Sequence, residues 1–146
     1  MPPPNNAAIT LFAYAPDGEL SLLLVRMRAD GLLSSPGGGI EAGESTEMAA
    51  LREFREEVGY DLPESAVCIG SFVYFDGTEI FLRLLPLGED LATGPRPTSC
   101  TEVSEVLFYP VSKVHVPMDA AVFRECALGS IFESVCRFRA WEFKFK

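Results

Sequence analysis

Apolar residues in this chain fall into short runs separated by turn chemistry, and the spacing inside each run assigns its secondary structure. Residues 7–14 (AAITLFAY) and 20–26 (LSLLLVR) are two β-like runs with Pro16-Asp17-Gly18 between them. Asp-Gly between such runs signals a hairpin, because a tight turn needs backbone that tolerates positive φ. Residues 27–36 have no clear period and lead into Gly37-Gly38-Gly39. From Ser45 to Val58 the spacing turns helical, and Gly59 suits the left-handed residue that closes a helix. A second hairpin is expected from VCIGSFVYF (67–75) and TEIFLRLLPL (78–87), joined at Asp76-Gly77.

The stretch 88–101 is rich in Gly, Pro and small polar residues and reads as a surface loop. Residues 103–111 (VSEVLFYPV) predict another strand, and a final helix is expected from Asp119, a good N-cap, to about Cys136. The closing RFRAWEFKFK alternates basic and aromatic residues and reads as a last strand or a packed tail rather than a nucleic-acid platform. No internal repeat or second domain is visible, so residues 1–146 are expected to form one domain, with 1–6 as a flexible tail. Hairpin strands plus two helices predict an α+β fold, with helices on the faces of a mixed, largely antiparallel sheet.

The helical stretch carries an unusual set of charges. At about 100° per residue, with Glu53 at the origin, Glu56 falls near −60° and Glu57 near +40°, so the three acids share an arc of roughly 100°. Met48, Leu51, Phe54 and Val58 fall between about 100° and 220°, which predicts an apolar face turned to the core and an acidic face turned away from it. A solvated face is the ordinary reading of such acids. Against it, Glu56 and Glu57 stand in the last turns, where negative charge opposes the helix dipole. Arg52 and Arg55 offset the repulsion only in part, Arg52 being four residues before Glu56. A hard divalent cation is the natural remaining counter-charge, and Mg²⁺ uses a few carboxylates together with substrate phosphates. The glycines ahead of the helix are expected to allow positive φ and a close approach of backbone to another group.

Bulk properties narrow the field further. The net charge of −9 excludes a nonspecific nucleic-acid coat, which needs Lys and Arg against phosphates. It leaves room for a small phosphorylated ligand neutralised locally by a cation. No apolar run reaches the roughly 20 residues of a membrane-spanning helix. Cys68, Cys100, Cys126 and Cys136 are scattered, with only His115 as company, so neither a zinc site nor a disulfide framework is indicated. Buried reduced thiols in a cytoplasmic protein are the expectation.

Gly38, five residues, Glu44, seven residues, Arg52-Glu53, Phe54, Arg55, Glu56-Glu57, Val58, Gly59 and Tyr60 together resemble the signature of the Nudix (MutT-like) pyrophosphohydrolases. Every fixed position is filled, over about one-sixth of the chain, with aromatics in two slots where aliphatics are more usual. The resemblance implies a Nudix-type α/β/α sandwich. It also implies hydrolysis of a nucleoside diphosphate linked to another moiety, most similar by size to nucleoside-triphosphate-cleaving members, with Mg²⁺ or Mn²⁺. By the same resemblance Glu53, Glu56 and Glu57 are metal ligands, the Gly37 carbonyl adds one more, and Glu44 and Arg52 hold the ligands in place. The proton acceptor is a glutamate of this motif, or else Glu102 or Glu105 near the late strand.

Arg26 and Arg28 are candidates to meet the distal phosphates, with Gly38 and Gly39 offering close backbone. Tyr74, with Phe75 and Phe81, either stacks on a base or belongs to the core. A monomer or homodimer is expected. A nucleotide- or protein-binding module without turnover is the alternative, and the intact acidic triad disfavours it. An acidic calcium helix lacks the alternating oxygen ligands of an EF-hand loop.

Overall fold

Strand β1 (Asn6–Tyr14) is buried along nearly its whole length, and its neighbours explain why. Residues Ala7, Ile9, Leu11 and Ala13 point to one face of the sheet, and Ala8 and Phe12 to the other, each set inside its own hydrophobic cluster. A strand covered on both faces reads as a continuous apolar run. In the computed structural model residues 3–59, 61–86, 101–114 and 128–144 are described.

β1 pairs antiparallel with β2 (Leu20–Met27) and with β4 (Gly37–Gly39), and parallel with β6 (Thr78–Leu84). β2 also pairs with β3 (Leu33–Ser34) and β7 (Val103–Pro110), while β5 (Val67–Val73) pairs with β6. The sheet is therefore mixed and mainly antiparallel, as the sequence indicated. Both Asp-Gly turns form in the same way. Asp17 Oδ1 accepts the Glu19 amide at 2.9 Å and Asp76 Oδ1 accepts the Thr78 amide at 3.0 Å, with Gly18 and Gly77 at φ 87° and 90°.

Helix α1 (Thr46–Val58) covers one face of the sheet and helix α2 (Leu128–Lys144) the other. The ends of α1 follow the sequence signals. Ser45 Oγ accepts the Met48 amide at 3.1 Å, and Gly59, at φ 99°, donates its amide to the Arg55 carbonyl at 3.0 Å. A short 3-10 turn (Val111–Lys113) follows β7. Among the described residues no helix is long and apolar enough to cross a membrane.

Four expectations change. The buried side of α1 is formed by Ala49, Ala50, Phe54, Glu57 and Val58, whereas Met48 and Leu51 are exposed. Two alanines let the helix sit close on the sheet, which rotates the buried arc toward the acids. Second, the closing basic-aromatic stretch is helical through Lys144. Phe138 packs in the core and Trp141, three residues on, against it, while Arg137 pairs with Glu133 and Arg139 with Glu142, each at 3.0 Å. The alternation mimicked a strand because helical i, i+3 spacing and charge pairs coincide there. Third, Cys68 and Cys136 are exposed rather than buried. Cys68 lies on β5, which pairs on one side only, beside a register irregularity, and Cys136 lies on the outer side of α2. Fourth, β1 already begins at Asn6, within the stretch expected as a tail. The expected helix start at Asp119, the loop 88–100, Cys100 and Cys126 lie outside the described residues.

Phe138 stacks on Phe12 with ring centroids 4.2 Å apart, whereas Phe143 is 85% exposed. Phe138→Ala is expected to cost about 3–5 kcal/mol and Phe143→Ala less than about 0.5 kcal/mol, read by urea denaturation. Equal losses at the two positions would contradict the packing of α2.

Candidate active site

The site is organised by a carboxylate inside the core. Glu57 is 1% exposed, on the same side of α1 as Phe54 and Val58. Its Oε1 accepts the Gly37 amide at 2.8 Å, and its Oε2 is buried with no hydrogen-bond partner among the described residues. The acidic arc thus runs from Glu57 in the core through Glu53, with a side chain 15% exposed, to Glu56 at 53%.

This arrangement requires the glycine run. None of Gly37, Gly38 and Gly39 has positive φ; they form strand β4, so the expected left-handed backbone is absent there and occurs instead at Gly43, φ 84°. Their requirement is steric. A Cβ at Gly37 would meet the Ala7 carbonyl oxygen at 2.5 Å, and one at Gly38 would meet the Glu53 carboxylate at 2.6 Å. Gly39 has room for one.

Arg52 ties this strand and the following turn to the helix. Its Nε and Nη2 donate to the two oxygens of Glu44 at 2.8 and 3.0 Å, and Nη2 also donates to the Gly39 carbonyl at 2.9 Å. Nη1 donates to Glu53 at 3.0 Å and reaches Glu56 at 3.4 Å. Glu41, which the motif spacing did not single out, joins the cluster: its amide donates to Glu44 at 2.9 Å and its carboxylate lies 3.7 Å from Arg52. Its signal was local only, a turn in which the Glu44 amide returns to the Glu41 carbonyl at 3.1 Å.

The charges respond as these surroundings require. Hydrogen bonding from Arg52 holds the Glu44 carboxyl below its usual value. Burial raises Glu53, with Arg52 opposing and the charges of Glu56 and Glu102 adding. Burial pushes Glu57 up to about 7; the Gly37 amide opposes this, and the charges of Glu53, Glu102 and Glu56 reinforce it. Glu102 therefore joins the acids of α1 electrostatically.

The other sequence candidates have different surroundings. Arg26 Nε donates to Glu105 at 2.9 Å and its Nη1 to the Gly31 carbonyl at 2.9 Å. Arg28 donates to the carbonyls of Thr101 and Val103 at 3.0 and 3.3 Å. Tyr74 packs against the cluster under α2, so the structure does not bring it to the acids, and Phe81 is buried under α1. Phe75 is exposed.

A family model described as the NUDIX domain matches residues 4–127. The chain belongs to the Nudix family. A Bacillus subtilis protein provisionally named 8-oxo-dGTP diphosphatase is 37% identical over 76 residues, covering 50% of each chain. An RNA pyrophosphohydrolase of a Nitratiruptor species is 36% identical over 73 residues, covering 50% of this chain and 47% of that one. These matches span about half the length of those relatives. In fold, the chain resembles a C. elegans Ap4A hydrolase binary complex, with a TM-score of 0.65 at 17% identity over 95% of this chain and 98% of that one.

For this Nudix chain the donor set suits a hard divalent cation. All donors are oxygen, carboxylates outnumber cations, and one buried carboxylate oxygen is unmatched. Glu53, Glu56 and Glu57 are the residues that would hold it. As they stand, no three His, Cys, Asp or Glu side chains among the described residues are arranged to bind a metal, and Arg52 is the counter-charge to Glu53 and Glu56.

An acid whose pKa is higher folded than unfolded keeps its proton more tightly in the fold, so its contribution to stability falls as pH rises between the two values. In metal-free protein Glu57 should therefore lower stability from pH 4.5 to about 7. Subtracting the denaturation profile of Glu57→Gln should isolate that decline, and parallel profiles over the interval would contradict it.

Proposed function

We propose that this Nudix site is a divalent-cation-dependent pyrophosphohydrolase acting on a nucleoside diphosphate linked to another moiety, a nucleoside triphosphate or related small nucleotide. The observation that carries the reading is Glu57, a buried carboxylate with one unmatched oxygen, gathered with Glu53, Glu56 and Glu102 beside a glycine strand. Such a concentration of carboxylates favours a bound divalent cation, and a polyphosphate is the ligand class that supplies further oxygens to it. The names of the two sequence relatives, a diphosphatase and a pyrophosphohydrolase, share hydrolysis of a phosphoric anhydride, which supports the same reaction class.

In the reaction a water oxygen bonds to one phosphorus, the bond from that phosphorus to the bridging oxygen breaks, and the leaving phosphate takes the electron pair. Mg²⁺ or Mn²⁺, held by Glu53, Glu56 and Glu57, would neutralise the charge that develops on the phosphate oxygens. Gly37 fixes Glu57 through its amide, and Arg52 orients Glu53 while holding Glu44 and the Gly39 carbonyl. The water proton passes to a carboxylate outside the ligand set. We assign this to Glu102 in preference to Glu105, because Glu105 is already paired with Arg26 at 2.9 Å while Glu102 acts on both Glu53 and Glu57.

A panel of nucleoside triphosphates, dinucleoside polyphosphates, ADP-ribose and nucleotide sugars with Mg²⁺, scored for released phosphate and pyrophosphate, tests the reading. Glu57→Gln should lower turnover at least about 10²-fold, and chelator should abolish it. Full turnover in either case would refute the assignment. Nucleotide binding without turnover by the wild type would move the chain to the binding-module alternative. Gly38→Ala, whose new methyl would press on the movable Glu53 carboxylate, should weaken Mn²⁺ binding about tenfold with little loss of stability. Gly37→Ala, which meets backbone, should instead unfold at lower denaturant.

A further inference from the structure

Arg28 stands just beyond the end of β2, where the chain turns away, and among the described residues its hydrogen bonds reach one short segment at the start of β7. Its amide donates to the Glu102 carbonyl at 2.8 Å. Its Nε donates to the Thr101 carbonyl at 3.0 Å and its Nη2 to the Val103 carbonyl at 3.3 Å. The three acceptors are Glu102 itself and the residues on either side of it.

Two further features anchor the chain just after this grip. Val103, next to it, is buried in the cluster that contains Phe54 and Val58 of α1. The β2–β7 register then shifts, with Met27 opposite Val103 and Arg26 opposite Glu105, so that Ser104 is the extra residue, its Oγ donating to the Arg26 carbonyl at 3.3 Å. A bulge re-aims the side chains around it.

We infer that Arg28 is a positioning residue: it clamps the backbone on both sides of Glu102 and so sets where that carboxylate can reach. The inference deepens the pyrophosphohydrolase reading and rests on it. It differs from the expectation that Arg28 meets the distal phosphates, since two of its donors are already engaged by the Thr101 and Val103 carbonyls. Lysine cannot substitute, since a single ammonium does not present two donors in a fixed fork.

The test measures kcat and KM for the wild type, Arg28→Ala, Arg28→Lys, Glu102→Gln and the double variant Arg28→Ala/Glu102→Gln, with a nucleoside triphosphate and Mg²⁺. Arg28→Ala should lower kcat about tenfold with KM changed less than about twofold, and Arg28→Lys should recover little of the loss. In the Glu102→Gln background the same substitution should cost less than about twofold, because the two residues act as one unit. A raised KM, or a loss of full size in that background, would overturn the assignment. Amide hydrogen exchange supplies a readout independent of turnover: Arg28→Ala should speed exchange at residues 103–105 and leave α1 unchanged. A wild type inactive on every nucleotide overturns the pyrophosphohydrolase reading, and Arg28 is then judged by exchange, where unchanged rates refute the clamp.

Discussion

One carboxylate, that of Glu57, is buried in the packing between α1 and the sheet, and most of the site follows from the need to accommodate it. An isolated buried carboxylate costs several kcal/mol unless it is neutralised or hydrogen-bonded. Here one oxygen has the Gly37 amide and the other has no partner. To deliver that amide, β4 must run close to both β1 and α1, which excludes a side chain at Gly37 and at Gly38 leaves room for one only if the Glu53 carboxylate shifts. The remaining deficit of positive charge makes the pocket receptive to a proton or a cation. Its receptivity and its strain have one source.

The arginines around the site set geometry more than stability. The pairs of Arg52 with Glu44 and Glu53 are largely buried, so the cost of desolvating the charges offsets much of their attraction and they add little net free energy of folding. Their effect is to fix the order of groups, with Glu44 and the Gly39 carbonyl on one side of the guanidinium and Glu53 and Glu56 on the other. Arg28 does the same for the backbone around Glu102. Acids contributed by two distant stretches of chain, Glu102 and those of α1, thereby act on one another electrostatically.

The two faces of the sheet have separate tasks. Under α2 the contacts are mainly apolar, with Arg137 over the Phe72 ring at 4.4 Å and a hydroxyl chain in which Thr10 meets Ser35 at 2.8 Å and Ser134 at 3.2 Å. Under α1 the packing is looser in chemistry: alanines, Phe54 and Val58 share a surface with Glu57. Likeness to the C. elegans hydrolase at 17% identity concerns this layered scaffold alone. The acids, the glycine strand and Arg52 lie within the stretch that also carries the family signature.

The sequence by itself determined the hairpins, both ends of α1, the strand at 103 and the clustering of Glu53, Glu56 and Glu57 on one helix. Each of these depends on local chemistry: Asp-Gly turns, a serine cap, a terminal glycine, fixed spacing along one helix. Three further points were decided by contacts between distant segments. Which side of α1 is buried depended on Ala49 and Ala50 fitting against β1, so periodicity alone misplaced Met48 and Leu51 and left Glu57 outside the core. The glycines proved to be needed for proximity to Ala7 and Glu53, rather than for positive φ. The partners of Arg26, Arg28, Glu102 and Glu105 depended on how β7 pairs with β2, including one bulge. Such pairings join residues more than seventy positions apart, for example Arg26 and Glu105, and no local pattern encodes the register in which they meet.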